Sequence, residues 1–402
     1  MSCYERFGVT EIINASGSVT RLGGAPMPAT VLDAFREAAG ATVPLEILQA
    51  AAAEKIASAC GTESGLVTAG SAAALTLGAA AILAGTDAGR MEQLPHCDGF
   101  PNEFLVAREH RNGYDHAVRA AGARFVEVGM NEIVSGAGVR RTEAWEYEAA
   151  ITPQTAGILY VKTPDSRPSL PEVMEVARKH NLPVLVDAAG ELPPRENLKA
   201  IPATGADLVC FSGGKAVRGP QSTGILCGRR DLVMSAAVQM LDMDDHPELW
   251  EPPESLIDRS RLSGMPRHGI GRTLKVSKEE IIALLTALDL FCSGAYDSDR
   301  ERFHGWLTAI ADRLEGTCAT CRIDLPDNGQ TPPTLTIHLA GAACPREAAW
   351  EVCRQLRKAS PPVYVSHGRL DQGELVVYPL CLTEAAVPVL ADRLHEKISA
   401  LK

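Results

Sequence analysis

Aromatic residues are scarce in this chain of 402: Phe, Trp and Tyr together make up 5%. That is too few for the stacking platforms on which single-stranded nucleic acids lie. Basic residues are the minority among charges. Lys and Arg number 39 against 50 Asp and Glu, which leaves a net charge of −11. With no Lys/Arg block, the chain matches nucleic-acid phosphates poorly, and no nucleic-acid partner is expected. Long hydrophobic runs are absent too. The longest apolar stretch, 72–84, has thirteen residues rich in Ala and Gly, too short and too weakly hydrophobic to span a bilayer. The N-terminus has early acidic residues and lacks the apolar segment of a signal peptide. The eleven cysteines are scattered and odd in number. They read as free thiols in a reducing compartment, here the cytoplasm, rather than as a disulfide framework. One CxxC, Cys318 to Cys321, has no second pair beside it, so its expected role is structural and no metal is expected.

What is present fits a globular protein: 46% hydrophobic and 22% charged residues can offset the entropy of ordering a chain. The length is too great for one small core and predicts two packed units. Residues 1–44, rich in Gly, Pro and small polar side chains, read as an arm. From 45 to 270 short apolar runs alternate with helical patterns. The runs are 65–68, 104–107, 124–128, 157–161, 183–187, 207–212 and 223–227. Such alternation predicts an α/β domain with a mostly parallel seven-stranded sheet covered on both faces. A linking helix is expected within 271–294. Residues 295–402, with strand-like runs at 334–339 and 374–379 and helical patterns at 345–358 and 384–401, read as a smaller α+β domain.

In open sheets of this kind, ligands sit beyond the carboxyl ends of the strands. Three turns there carry chemistry. Thr68-Ala69-Gly70-Ser71-Ala72 joins a strand to an Ala-rich helix; a helix start with exposed N–H groups takes a phosphate, or is simply a capped helix. Asp187 ends the apolar run 184–186. A carboxylate so placed needs a cation or hydrogen bonds, from a protonated ring nitrogen or from the next turn. Lys215 follows Ser212-Gly213-Gly214. It reads as a nucleophile whose pKa falls in a semi-enclosed pocket, or as an ordinary solvated lysine. An SxxK reading of Ser212 and Lys215 wants its Ser at a helix start, whereas here the Ser ends a strand.

Phosphate loop, carboxylate and lysine follow one another at successive strand ends, an order that resembles the aspartate-aminotransferase-like fold type I enzymes. The stretches INASGSVTRLGG (13–24), MEQLP and GFPNEF (within 91–104), AREHRNGYDHAVRAAGARFVEVG (107–129), VLVDAAGELPP (184–194) and FSGGKAVRGPQSTGILCGRRDL (211–232) narrow it. They are similar to the bacterial selenocysteine synthase-like group, closest to its branch of D-glucosaminate-6-phosphate ammonia-lyases and aminotransferase class V-like proteins.

The resemblance implies pyridoxal 5'-phosphate as cofactor and a small amino acid or amino sugar acid as substrate. Lys215 would bond the cofactor aldehyde, Asp187 would pair with the pyridine nitrogen, and His110 would stack on the ring opposite Ala189. Gly70, Ser71 and Ala72 would cradle the phosphate with the Ser212 hydroxyl. Gly269, Gly271 and Arg272 would approach from a partner subunit, and Gln221 and Ser222 would lie near the phosphate or that subunit, so a homodimer or higher homo-oligomer is expected. Asn14, Ser16 and Arg21 are candidate substrate contacts, or turn residues; Arg21 suits a carboxylate best. The chain departs from the pattern after Val363-Tyr364-Val365, where relatives often carry an Arg and this chain has Ser366-His367; either Arg369 or His367 would substitute, or the substrate anchor differs. The implied reaction is Cα deprotonation by Lys215, then β-elimination to a 2-keto acid and ammonia. Racemisation, with His110, Tyr114 or Cys97 as second acid, and transamination are alternatives. A tRNA-linked seryl transferase would want a basic stripe that the chain lacks.

Overall fold

The computed structural model describes residues 2–130 and 141–401. They form two compact units, Met27–Cys292 and a smaller one that joins the residues up to Pro26 to those from Ser293 on. In chain order the elements begin with β1 (Ile13–Ala15), α1 (Ala29–Ala39), α2 (Leu45–Cys60), β2 (Ser64–Thr68), α3 (Gly70–Ala84), α4 (Ala88–Gln93), β3 (Glu103–Ala107) and α5 (Asp115–Ala120). There follow β4 (Arg124–Val128), α6 (Ala144–Ala149), β5 (Thr155–Val161), α7 (Leu170–Lys179), β6 (Val184–Asp187), α8 (Asn197–Ala200), β7 (Leu208–Ser212), β8 (Gly224–Gly228) and α9 (Arg230–Met240). The rest are α10 (Lys278–Ser293), α11 (Asp299–Arg313), β9 (Thr320–Asp324), β10 (Thr334–His338), α12 (Pro345–Arg357), β11 (Val363–Val365), β12 (Glu374–Val377) and α13 (Ala386–Ser399).

The larger unit is an α/β domain. Its seven strands lie in the order β2-β8-β7-β6-β5-β3-β4. From β7 to β4 the pairings are parallel, and β8 runs antiparallel to both neighbours. Each of the seven apolar runs is a strand. The inner ones are buried along their length, as β6 is at every residue, because helices cover both faces. Small side chains let α3 lie close to the sheet. A Cβ at Gly78 would stand 2.8 Å from Leu185 Cδ1 on β6, so any larger residue would have to push that side chain aside. α7 starts at a capping box in which Ser169 and Glu172 exchange bonds with each other's backbone N–H.

The unit boundaries differ from the sequence reading in two places. The expected arm 1–44 is divided. β1 pairs in parallel with β11, Asn14 opposite Tyr364, so the residues up to Pro26 belong to the smaller unit, while α1 belongs to the larger. The helix expected as a linker is part of the larger unit: α10 buries Ile281, Ala283, Leu284, Ala287, Leu288 and Phe291. Leu284 Cδ1 would stand 2.6 Å from a Cβ at Gly213. The smaller unit holds the expected strands β10 and β12 and helices α12 and α13 around a core that includes Leu307, Ile337, Val352, Leu375 and Leu390. It also holds β9, an edge strand of the sheet β12-β10-β9. β9 was not legible because its residues, Thr-Cys-Arg-Ile-Asp, are exposed or half-buried and show no apolar face.

Cys318 is half-buried with its Sγ 3.9 Å from the Ile398 carbonyl, and Cys321 is exposed on β9. Among the described residues no group of His, Cys, Asp and Glu is arranged to hold a metal ion, and no helix is long and apolar enough to cross a membrane.

Candidate active site

Four strand ends on the carboxyl edge of the larger sheet carry the predicted residues. At the end of β2 the chain turns through Gly70, φ +86°, a left-handed conformation that glycine adopts without strain. The Thr68 hydroxyl donates to the Gly70 carbonyl at 2.9 Å. α3 follows at once, and its N-cap Ala69 offers no side-chain acceptor. The first-turn N–H groups of Gly70, Ser71 and Ala72 are therefore free of a side-chain cap, at the positive end of the helix dipole. Gly224 of β8 lets this corner close: a Cβ there would stand 2.4 Å from Gly70 C and 2.5 Å from Ser71 N.

β6 ends on Asp187, which is 8% exposed. Its Oδ1 accepts one hydrogen bond, from Ala189 N–H at 3.0 Å. Burial pushes the carboxyl pKa up, while the Ala189 N–H and the nearby Lys215 amine hold it down. β7 ends on Ser212, and the turn Gly213-Gly214-Lys215 is tightly folded. Cβ atoms at Gly213 and Gly214 would stand 2.3 Å from Thr223 Oγ1 and 2.4 Å from Gln221 Cα. Gly213 N–H donates to Thr223 O and Gly219 N–H to Gly213 O, both at 2.9 Å. The glycines thus fold the loop back on β8 and set Lys215 close enough to Asp187 for their charges to interact.

His110 lies just past β3. It is 5% exposed, and its ring meets the Tyr160 ring edge-to-face, centroids 4.8 Å apart at 79°. Among the described residues neither ring nitrogen has a hydrogen-bond partner. Burial lowers its pKa to about 4, with a smaller opposing effect from Glu109, so the imidazole is neutral near pH 7. Tyr160 OH donates to the Pro168 carbonyl at 2.9 Å. Two residues beside Asp187 were missed by the sequence reading. Lys162, at the end of β5, donates its N–H to the Asp187 carbonyl at 2.8 Å, and its Nζ stands 3.8 Å from Glu191. Burial raises the Glu191 pKa, Lys162 opposes that, and Asp187 adds to it. The signal available was Glu191 four residues after Asp187 in VDAAGE.

Gly271 is buried against Leu77 and Gln239, with no room for a Cβ, which is a packing role within its own chain. Arg272 Nη2 pairs with Asp242 at 2.5 Å, and His268 joins the same carboxylate at 3.1 Å. Gln221 is half-buried over Gly214, and the exposed Ser222 hydroxyl donates to Glu280. Tyr114 is 57% exposed, and Cys97, its pKa raised chiefly by burial, lies with its Sγ near the Pro95 and Gly122 carbonyls. Asn14, Arg21 and Arg369 are in the smaller unit. Asn14 uses its side chain on its own turn: Nδ2 donates to Gly17 O at 3.1 Å and Oδ1 accepts from Ser16 N–H at 2.9 Å. Arg369 is 3.1 Å from Glu374, while Arg21 has no such pair among the described residues and lies 3.5 Å from His367 Nδ1.

The profile of the family described as L-seryl-tRNA selenium transferase (SelA) matches residues 115–242. A 5'-C-glycyluridine monooxygenase-decarboxylase from a Streptomyces species is 30% identical over 404 residues, spanning 98% of this chain and 91% of the relative. The chain belongs to the SelA-like family of fold type I enzymes. A second SelA-like relative, the D-glucosaminate-6-phosphate ammonia lyase of Salmonella typhimurium, is 27% identical across 98% of this chain and 97% of its own. A solved D-glucosaminate-6-phosphate ammonia-lyase structure superposes with a TM-score of 0.80 at 25% identity, covering 100% of this chain and 99% of that one. The cysteine desulfurase CsdA of Escherichia coli, at 15% identity and a TM-score of 0.53 over 94% and 93% of the chains, shares the aspartate-aminotransferase-like fold alone. SelA-like enzymes and their fold neighbours typically depend on pyridoxal phosphate.

Proposed function

We propose that this SelA-like enzyme is a pyridoxal 5'-phosphate-dependent lyase. It acts on a small amino acid or amino sugar acid by β-elimination and deamination, giving a 2-keto acid and ammonia. The observation that carries the reading is the pair Asp187 and Lys215, one buried and the other in a glycine-lined turn, at adjacent strand ends and close enough to interact electrostatically.

The residues present fit the cofactor. The uncapped first turn of α3 suits a phosphate. Among the described residues neither nitrogen of buried His110 has a hydrogen-bond partner, a cost that a polar group of a bound ligand would relieve. Asp187 has a single hydrogen bond and a raised pKa, and a ring N–H would complete it. When bound, pyridoxal phosphate supplies an electron sink for negative charge at the substrate Cα. Asp187 would hold the ring N–H, Gly70, Ser71 and Ala72 would orient the phosphate with Ser212, and His110 and Ala189 would enclose the ring. Lys215 would hold the cofactor aldehyde and, once its amine is free, would take the Cα proton on its Nζ. Loss of a β-hydroxyl and hydrolysis of the resulting enamine complete the reaction.

Racemisation would need a second acid facing Lys215. Neutral His110 and the exposed Tyr114 support that reading less. At least a homodimer is proposed as the working form, on the resemblance of the 269–272 segment to one that reaches a partner's site; sedimentation of the active enzyme as a monomer would overturn this.

The deciding experiment is spectroscopic and chemical. The purified protein with added cofactor should show a visible absorption band that Lys215→Ala removes. A panel of D- and L-amino acids and amino sugar acids should yield keto acid and ammonia, not inverted starting material. No band with the wild type, or inversion without ammonia, would reject the lyase.

A further inference from the structure

We propose that the smaller unit contains an anion site for a phosphate group, built from Arg21, Arg357 and His367. It does not rest on the proposed lyase reaction. A cavity of about 570 Å³ opens between α12 and the segment after β11, and is lined by Arg21, Trp350, Arg354, Arg357, Lys358 and His367. Three separate parts of the chain supply the basic side chains. Arg354, Arg357 and Lys358 come from the C-terminal end of α12, Arg21 from the single turn after β1, and His367 from just beyond β11. The pairing of β1 with β11 brings them together.

Arg21 and Arg357 both face the Tyr364 ring, their guanidinium carbons 5.7 and 5.3 Å from its centroid. Arg21 Nη2 stands 3.5 Å from His367 Nδ1. Arg354 has a carboxylate partner in Glu351. Among the described residues, neither Arg21 nor Arg357 has one.

The local arrangement explains only part of this. Basic residues in the last turn of α12 favour the helix dipole, and a ring face attracts a guanidinium. Neither effect accounts for Arg21 and His367 arriving from other elements to join Arg357. Convergent positive charge repels, and His367 registers it: burial, then Arg21 and Arg357, lower its pKa. The chain as a whole carries a net charge of −11, yet among the described residues the acids beside the cavity, Glu351 and Asp371, pair with Arg354 and Arg346 and not with Arg21 or Arg357. Convergent cations without acids form a local positive potential that an anion relieves.

The geometry favours phosphate over carboxylate. One guanidinium fork satisfies the two oxygens of a carboxylate. A phosphate monoester has three terminal oxygens pointing apart and a charge near −2, which two forks and an imidazole match. Trp350, 45% exposed at the wall of the cavity, has its indole N–H directed at Asp371 Oδ1, 3.4 Å away, and offers an apolar face to whatever carries the phosphate.

The test is calorimetric titration of inorganic phosphate into the full-length protein loaded with pyridoxal phosphate and then dialysed free of excess cofactor, so that the first turn of α3 is already filled and the proposed site is not. Wild type should bind one phosphate. Arg21→Ala and Arg357→Ala should each weaken binding by roughly tenfold or more, and the double variant should abolish it, with unchanged circular dichroism. Arg357→Lys, which keeps charge but loses the fork, should fall between. Arg346→Ala, whose guanidinium pairs with Asp371, should bind as wild type does. Parallel titrations with O-phosphoserine against serine, and glucosamine 6-phosphate against glucosamine, identify the source. Tighter binding of a phosphorylated amino compound than of inorganic phosphate marks a substrate group, and equal binding marks free phosphate; either outcome supports the site. No binding to the wild type at millimolar phosphate, binding unchanged by the double variant, or equal weakening by Arg346→Ala would overturn it.

Discussion

His110 shows how a single side chain couples site and stability. Its folded pKa of about 4 lies below the ordinary 6.5 because the ring is buried. The unfolded chain therefore binds the proton more readily, and the stability held by the neutral ring is complete above pH 6.5 and is lost as pH falls toward 4. Urea denaturation across that window should show a loss of about 2 to 3 kcal/mol that His110→Phe removes. Asp187 behaves oppositely. Its pKa is raised, so its contribution is present at low pH and is lost as pH rises through the folded value; its ionised form is a cost the fold bears. Cofactor-free Asp187→Asn should therefore melt at a higher temperature than wild type at neutral pH, while turnover falls by at least about a hundredfold. A variant that melted lower and kept its rate would contradict both the burial argument and the assigned role. These residues were legible in the sequence because each ends an apolar run. The unpartnered state of His110 was not, since it depends on Tyr160, fifty residues away in the chain.

At the scale of elements, the meeting of β2, α3 and β8 positions the proposed phosphate cradle. The obstacles to a side chain at Gly224 are the backbone atoms of Gly70 and Ser71, which cannot swing aside. Gly224→Ala should cost about 1–3 kcal/mol and weaken cofactor binding, measured by thermal melting and by cofactor titration; a fully stable variant with wild-type affinity would refute the close approach. Six of the seven sheet strands were readable because burial writes them as nearly unbroken apolar runs, and the edge strand β4, which is largely exposed or half-buried, was readable from Phe125, Val126 and Val128. β9 was not, because an exposed edge strand carries no such pattern, and β1 was not, because three residues are too few to show a period.

For the whole molecule, the path of the N-terminal segment is the main finding beyond the sequence. Residues up to Pro26 complete the smaller unit through the β1–β11 pairing, with Ile13 and Ala15 in its core. Deleting residues 2–26 strips β11 of its strand partner and opens that core. The smaller unit should then become protease-sensitive while the larger one persists; limited proteolysis followed by mass spectrometry checks this, and equal resistance of both units would reject it.

The amino-acid order by itself determined the α/β class, the seven strands, and the turns that bear Gly70, Asp187 and Lys215. Those features rest on local pattern: hydrophobic periodicity, glycine where the backbone turns tightly, and a polar residue where a buried strand ends. Tertiary structure alone decided that Arg21 meets Arg357 and His367, that His110 is left without a hydrogen-bond partner, that Glu191 and Lys162 flank Asp187, and that the N-terminal segment belongs with the C-terminal core. Each depends on contacts between residues far apart in the chain, whose energies are set by the burial and charge of the neighbours that folding brings to them.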